Sequence, residues 1–126
     1  MMAKWVRFQI FPMVLTLVLL AAPGAWANVF ELHGVPVDVT ADNAAQARSQ
    51  ALARGQDEAF RRLLERLTLK EDAENLPEPG SLVVTEFVSD FSVSNEKTST
   101  VRYLATLSVR FKAAPVRSLL RELGIR

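Results

Sequence analysis

The segment Val101-Arg102-Tyr103-Leu104-Ala105-Thr106-Leu107-Ser108-Val109-Arg110-Phe111-Lys112 alternates with period two. Val101, Tyr103, Ala105, Leu107, Val109 and Phe111 fall on one side. Arg102, Thr106, Ser108, Arg110 and Lys112 fall on the other, broken only by Leu104. Successive side chains of a strand point to opposite faces, so this pattern predicts a half-buried strand with one wet side.

Upstream, Leu82 to Ser94 is rich in Val and Phe and reads as the partner strand. The polar run Ser94 to Ser99 joins the two as a hairpin loop. Here Val83, Phe87, Phe91 and Val93 point one way and Val84 and Val88 the other. With Leu104, this puts apolar residues on both faces of the hairpin. Such a sheet packs against something on each side. Val84, Val88 and Leu104 are therefore the expected interaction surface.

Further upstream, Val29 to Thr40 reads as a first strand, with Val35, Val37 and Val39 alternating. Pro36 has no N–H for a ladder bond, which predicts an edge, and Gly34 suits a bulge. Asp42, with Thr40 as the alternative, is the expected N-cap of a helix from Asn43 to about Leu69. Ala47, Ala51, Gly55, Ala59, Leu63 and Leu67 recur every four residues and share one helix face. The first four are small, which predicts close approach to a sheet at Gly55. Lys70 to Pro79 is a charged, proline-ended loop. Pro115 to Leu123 is a short amphipathic helix stopped by Gly124. The order β-α-β-β-α predicts an α+β fold: a three-stranded, largely antiparallel sheet with helices on one face. One sheet face and one edge are left unpartnered, and the free edge also permits self-association.

The first 27 residues have a different character. Lys4 and Arg7 precede the apolar run Phe8 to Ala22, and Ala25-Trp26-Ala27 closes it with small residues at the cleavage positions. This is the layout of a secretory signal peptide cut after Ala27. It divides the chain into a signal peptide, 1–27, and a single α+β domain, 28–126. The destination is the periplasm or the exterior. The alternative is an inner-membrane anchor, with Trp5 and Trp26 at the two interfaces. The chain has 15 Lys and Arg against 14 Asp and Glu, and loss of Lys4 and Arg7 turns this slight basic excess into a slight acidic one. A near-neutral domain offers no field for nucleic acid or an anionic membrane. After cleavage no stable membrane span is expected.

Chemistry-bearing residues are sparse. There is no cysteine, which removes disulfides, thiolate metal sites and thiol nucleophiles. His33 is the only histidine, too few for an ordinary metal site or for a serine triad with any recognisable motif. No serine lies in a Gly-x-Ser-x-Gly turn. No glycine-rich phosphate loop is present. Glu71, Asp72 and Glu74 lack the glycine and terminal glutamate of a calcium loop. No catalytic, cofactor-binding or metal-binding residues are expected, and the protein reads as non-enzymatic. Helix arginines Arg54, Arg61 and Arg62 are the candidates for an anionic or carbohydrate ligand, the alternative to protein binding. Pairing of Asp57 with Arg61 and of Glu58 with Arg62 at i,i+4 accounts for the charge on this face.

The run Val35 to Asp42, the segments Ala44 to Arg48 and Ala51 to Gln56, and the block Val101 to Phe111 followed by Val116-Arg117 and Leu119-Leu120 resemble an uncharacterised proteobacterial family of exported proteins. That family is a domain of unknown function, and the resemblance spans nearly all of Val29 to Ile125. It implies export and carries over no site residues. Its members extend further at the C-terminus, which implies that this chain is an N-terminal module or a truncated product of a longer exported protein. More distantly, the element order is similar to small modules of bacterial envelope assembly proteins. Among these are the N-terminal domain of a flagellar assembly protein and some outer-membrane lipoproteins. The resemblance implies an accessory role with an envelope or periplasmic partner.

Overall fold

A computed structural model describes residues 29–78 and 80–125. The expected signal peptide lies outside the described residues. The elements are β1 (Glu31–Thr40), α1 (Ala44–Leu67), β2 (Val88–Thr98), β3 (Arg102–Phe111) and α2 (Ala113–Glu122), with 3-10 turns at Lys70–Asn75 and Val84–Glu86. The fold is α+β, in the order β-α-β-β-α.

The sheet is antiparallel throughout and ordered β1-β3-β2. β3 is the central strand because its alternation is the most regular. Tyr103, Ala105, Leu107, Val109 and Phe111 are all buried on one face. β1 places Leu32, Val35, Val37 and Val39 on the same face. The expected bulge is present: the β1–β3 register shifts between Leu32 and Val35, and Gly34 there has φ +69°. That left-handed conformation suits glycine.

α1 lies across β1 and β3. Its N-cap is Asn43, one residue beyond the expected Asp42. The Asn43 side chain accepts a 2.9 Å hydrogen bond from the Gln46 N–H. Ala47, Ala51, Gly55, Ala59 and Leu63 are buried as their spacing predicted. At Gly55 the helix backbone comes closest to the sheet. A Cβ there would sit 2.6 Å from Leu107 Cδ2 and 2.8 Å from Val37 Cγ1. Beyond it the helix carries Phe60, which stacks on Phe87 at 4.9 Å between centroids and tilts against Phe111 at 5.6 Å.

α2 begins at Ala113, two residues before Pro115, so the proline sits within the first turn. Val116 and Leu119 join the core formed by α1 and the sheet. The helix ends with Gly124 at φ +72°. Gly124 N–H donates to the Arg121 carbonyl at 3.0 Å and Ile125 N–H to the Leu120 carbonyl at 2.9 Å. These are the two bonds of a Schellman cap. α1 and α2 thus serve one sheet face, and among the described residues no element covers the other.

β2 differs most from the sequence expectation. The strand starts at Val88, not Leu82, and runs on to Thr98 through the segment expected to be a loop. The hairpin turn is short. Ser99 N–H donates to the Arg102 carbonyl at 2.9 Å, and Arg102 N–H donates back to Ser99 Oγ at 3.0 Å. Two bulges interrupt the β2–β3 register, between Val88 and Asp90 and between Ser94 and Lys97. Asn95 takes φ +52° inside the second. Asparagine is among the residues best suited to that conformation.

Candidate interaction surface

The two bulges determine where the expected surface residues go. A bulge inserts one residue and reverses the in–out phase of everything beyond it. Val88, opposite Phe111, therefore shares the helix side with Phe91 and Val93, opposite Val109 and Leu107. Val88 and Val93 are half-buried against the core. Val84 is not in a strand. It lies in the second 3-10 turn, 7% exposed, inside the core. Val84 and Val88 thus belong to the helix side, and neither forms an outer face with Leu104.

Leu104 does face outward, half-buried between Asp38 and Lys97 on the neighbouring strands. Its surroundings are polar. Arg102 reaches across to Asp38 with two hydrogen bonds, 2.8 Å from Nε and 2.6 Å from its terminal nitrogen. These bonds hold the Asp38 carboxyl below its ordinary range. Arg110 pairs with Glu31 at 3.0 Å and Asp90 at 3.4 Å, and His33 lies 3.3 Å from Glu31. The outer face is a hydrogen-bonded, charge-matched surface around one leucine. The expectation of apolar residues on both sheet faces is corrected accordingly.

The anion candidates lie on α1. Arg61 hydrogen-bonds Glu58 through two nitrogens, at 3.0 and 2.6 Å, and also pairs with Glu65. Arg62 hydrogen-bonds Glu58 at 3.0 Å. Glu58 is held below the usual glutamate range chiefly by Arg61. Arg61 therefore pairs with Glu58 and Glu65 rather than the expected Asp57, whereas the Glu58–Arg62 pair forms as its spacing predicted. These guanidinium groups are matched by carboxylates of their own helix, leaving little unbalanced charge for a ligand. Arg54 is exposed about two turns earlier on the helix. Among the described residues there is no group of three or more His, Asp or Glu placed to hold a metal ion.

What remains is β2 itself. It is an edge strand of eleven residues with only Val88 and Val93 half-buried and the rest exposed. Phe91 is 41% exposed. α1 packs on β1 and β3, so the helix side of β2 is only partly covered. A groove of about 430 Å³ runs beside this region, lined by Arg48, Leu52, Gln56, Val83, Val84 and Thr85. Val83 is 60% exposed at its rim.

The backbone of this edge can be read from the ladder. Ser99 and Arg102 are bonded across the turn, and Lys112 N–H donates 2.7 Å to the Phe87 carbonyl. In an antiparallel pair alternate residues bond inward. Asp90, Ser92 and Ser94, opposite Arg110, Ser108 and Thr106, are therefore the inward-bonding residues. The N–H and C=O groups of Phe91 and Val93 point to the open edge. The same counting from the 2.8 Å Ala41 N–H to Val101 carbonyl bond puts Pro36 at an outward position of β1. Pro36 removes a donor from that edge, and the bulge at Gly34 distorts it. The misread phase hid this from the sequence. The visible signal was the unbroken Asp90-Phe91-Ser92-Val93-Ser94 alternation.

The described residues thus form a small α+β domain with one helix-covered sheet face, one polar face and, in β2, a long exposed edge strand. Residues 27–126 match the family described as Domain of unknown function (DUF8605), and the chain belongs to that family. No curated protein and no solved structure matches it. Among the described residues no helix is long and apolar enough to cross a membrane.

Proposed function

We propose that this protein is a non-enzymatic association module of the bacterial envelope. Its N-terminal segment exports it to the periplasm, and the open edge of β2 accepts a strand from another chain in that compartment. The observation that carries the reading is the outward-facing backbone of Phe91 and Val93 on a long, exposed edge strand. Strand addition uses such groups for affinity and alternate side chains for specificity. Phe91 supplies an aromatic anchor, the kind of residue enriched at interface centres. The order of basic, apolar and small residues in 1–27 supports export.

The test has two arms. Fractionation with N-terminal sequencing of the exported form should find Asn28 first. A full-length product in the inner-membrane fraction would sink the cleaved-signal reading. A photo-reactive residue at position 91 should form adducts in cells, while one at exposed Arg54 should not. Equal labelling at both would remove β2 as the interacting edge.

A further inference from the structure

We propose that the chain occupying the β2 edge is a second copy of this protein, paired antiparallel about a two-fold axis through Ser92. The inference rests on the reading of β2 as the interacting edge and names its occupant.

The register follows from where β2 is regular. Between its two bulges the strand is undistorted only over Asp90-Phe91-Ser92-Val93-Ser94. Its free backbone groups there belong to Phe91 and Val93. A two-fold axis at Ser92 sets Phe91 of one copy opposite Val93 of the other, twice. Each such pair exchanges an N–H···O=C bond in both directions, as a hydrogen-bonded antiparallel pair does. An axis at Phe91 would instead require Ser89, in the first bulge. An axis at Val93 would require Asn95, at φ +52° in the second. Only the Ser92 register keeps every new bond within regular backbone.

The side chains agree with that register. On the helix side, Phe91 meets Val93, an aromatic against a β-branched residue, a favourable cross-strand pair. This covers the most exposed aromatic among the described core-side residues. On the outer side, Asp90 meets the Ser94 hydroxyl, a donor, and not a second carboxylate. Ser92 meets Ser92 at the axis, as a pair without mutual backbone bonds. The pentapeptide is therefore complementary to its own reverse. β1 is the poorer edge: Pro36 lacks an outward donor and the Gly34 bulge interrupts the strand, which leaves outward N–H groups in regular backbone only at Asp38 and Thr40, and its helix-side residues Val35, Val37 and Val39 are already buried. With five residues a side, against roughly 20–30 in a standard stable interface, the pairing is concentration-dependent.

The chain has no cysteine, so a single introduced thiol reports without background. A non-hydrogen-bonded antiparallel pair holds its Cα atoms about 4.5 Å apart, within the roughly 4.4–6.8 Å a disulfide spans. Full-length Ser92→Cys should form a covalent dimer under mild oxidation about tenfold or more faster than Ser49→Cys on exposed α1, because pairing raises the local thiol concentration. In sedimentation velocity, the unmodified chain should show a concentration-dependent dimer that Phe91→Lys removes with the circular dichroism unchanged. Dimerisation of Ser92→Cys no faster than Ser49→Cys, with a monomer at all concentrations, would overturn the proposal. If position 91 still formed adducts with a different protein, the interacting edge would stand and its self-pairing would fall. If it formed none, both would fall.

Discussion

The Tyr103 hydroxyl donates a 2.7 Å hydrogen bond to Glu96 Oε1, the same oxygen that lies 3.6 Å from Arg48 Nε. One carboxylate thus ties the bulged part of β2 to the centre of the sheet and to α1. Tyr103 is fully buried apart from this contact. Burial, and then the facing Glu96, push its phenol above the usual value near 10.

Tyr103→Phe keeps the packing and removes the bond. It should cost about 1 kcal/mol of unfolding free energy at neutral pH, measured by urea denaturation. The folded-state phenol titrates above the unfolded one, so its contribution is present below pH 10 and is lost as pH rises through the higher folded value. The alkaline decline of stability should therefore be shallower in Tyr103→Phe than in the parent.

Asp38 and Glu58 report the acid side. Hydrogen bonds from Arg102 and Arg61 hold them below 3.8 and 4.5, respectively. Their stabilisation is present above those values and is lost as pH falls through the lower folded ones. The melting temperature of the Asp38→Asn, Glu58→Gln double variant should fall less steeply than the parent's as pH is lowered through and below 4.5 and 3.8. The difference will be small, because both groups face water and are screened.

Gly55→Leu tests the close approach of α1 to the sheet. Relief of the glycine penalty offers about 1 kcal/mol. The added side chain meets the buried Leu107 and Val37, and overpacking of this kind should leave a net loss of about 2 kcal/mol, read from chemical denaturation.

Val84→Asp and Leu104→Asp separate core from surface. The first buries a carboxylate beside α1 and should lower stability by about 3 kcal/mol or more. The second places it between Asp38 and Lys97 and should change stability by no more than about 1 kcal/mol. Thermal melts of the two variants give the comparison.

The helix face Ala47 to Leu63 was legible because a spacing of four has one meaning on a helix and nothing interrupts it. β3 was legible for the same reason at period two. The β1 bulge showed through Gly34 and Pro36, whose backbone limits are written in their residue types. β2 was not legible in phase. Its bulges depend on pairing with β3, and neither Val88–Ser89 nor Asn95–Glu96 carries a glycine to mark them. Val84 looked like a strand residue because its neighbours are β-branched, yet its place is set by Phe60 and Leu64 on α1, with which it lines one apolar cleft. Of the candidate surface, only Leu104 was placed on the correct side.

Pro36 has a consequence for valency. A sheet with two usable edges is divalent, and copies can add without end into a filament. Here the proline removes an outward donor from one edge, and the other is self-complementary. Under the proposed Ser92-centred pairing, the β1 edge is the weaker of the two, so addition of a third copy is disfavoured. Replacing Pro36 would restore that donor beside the Gly34 bulge and, under the same proposal, should shift the protein from pairs toward longer assemblies.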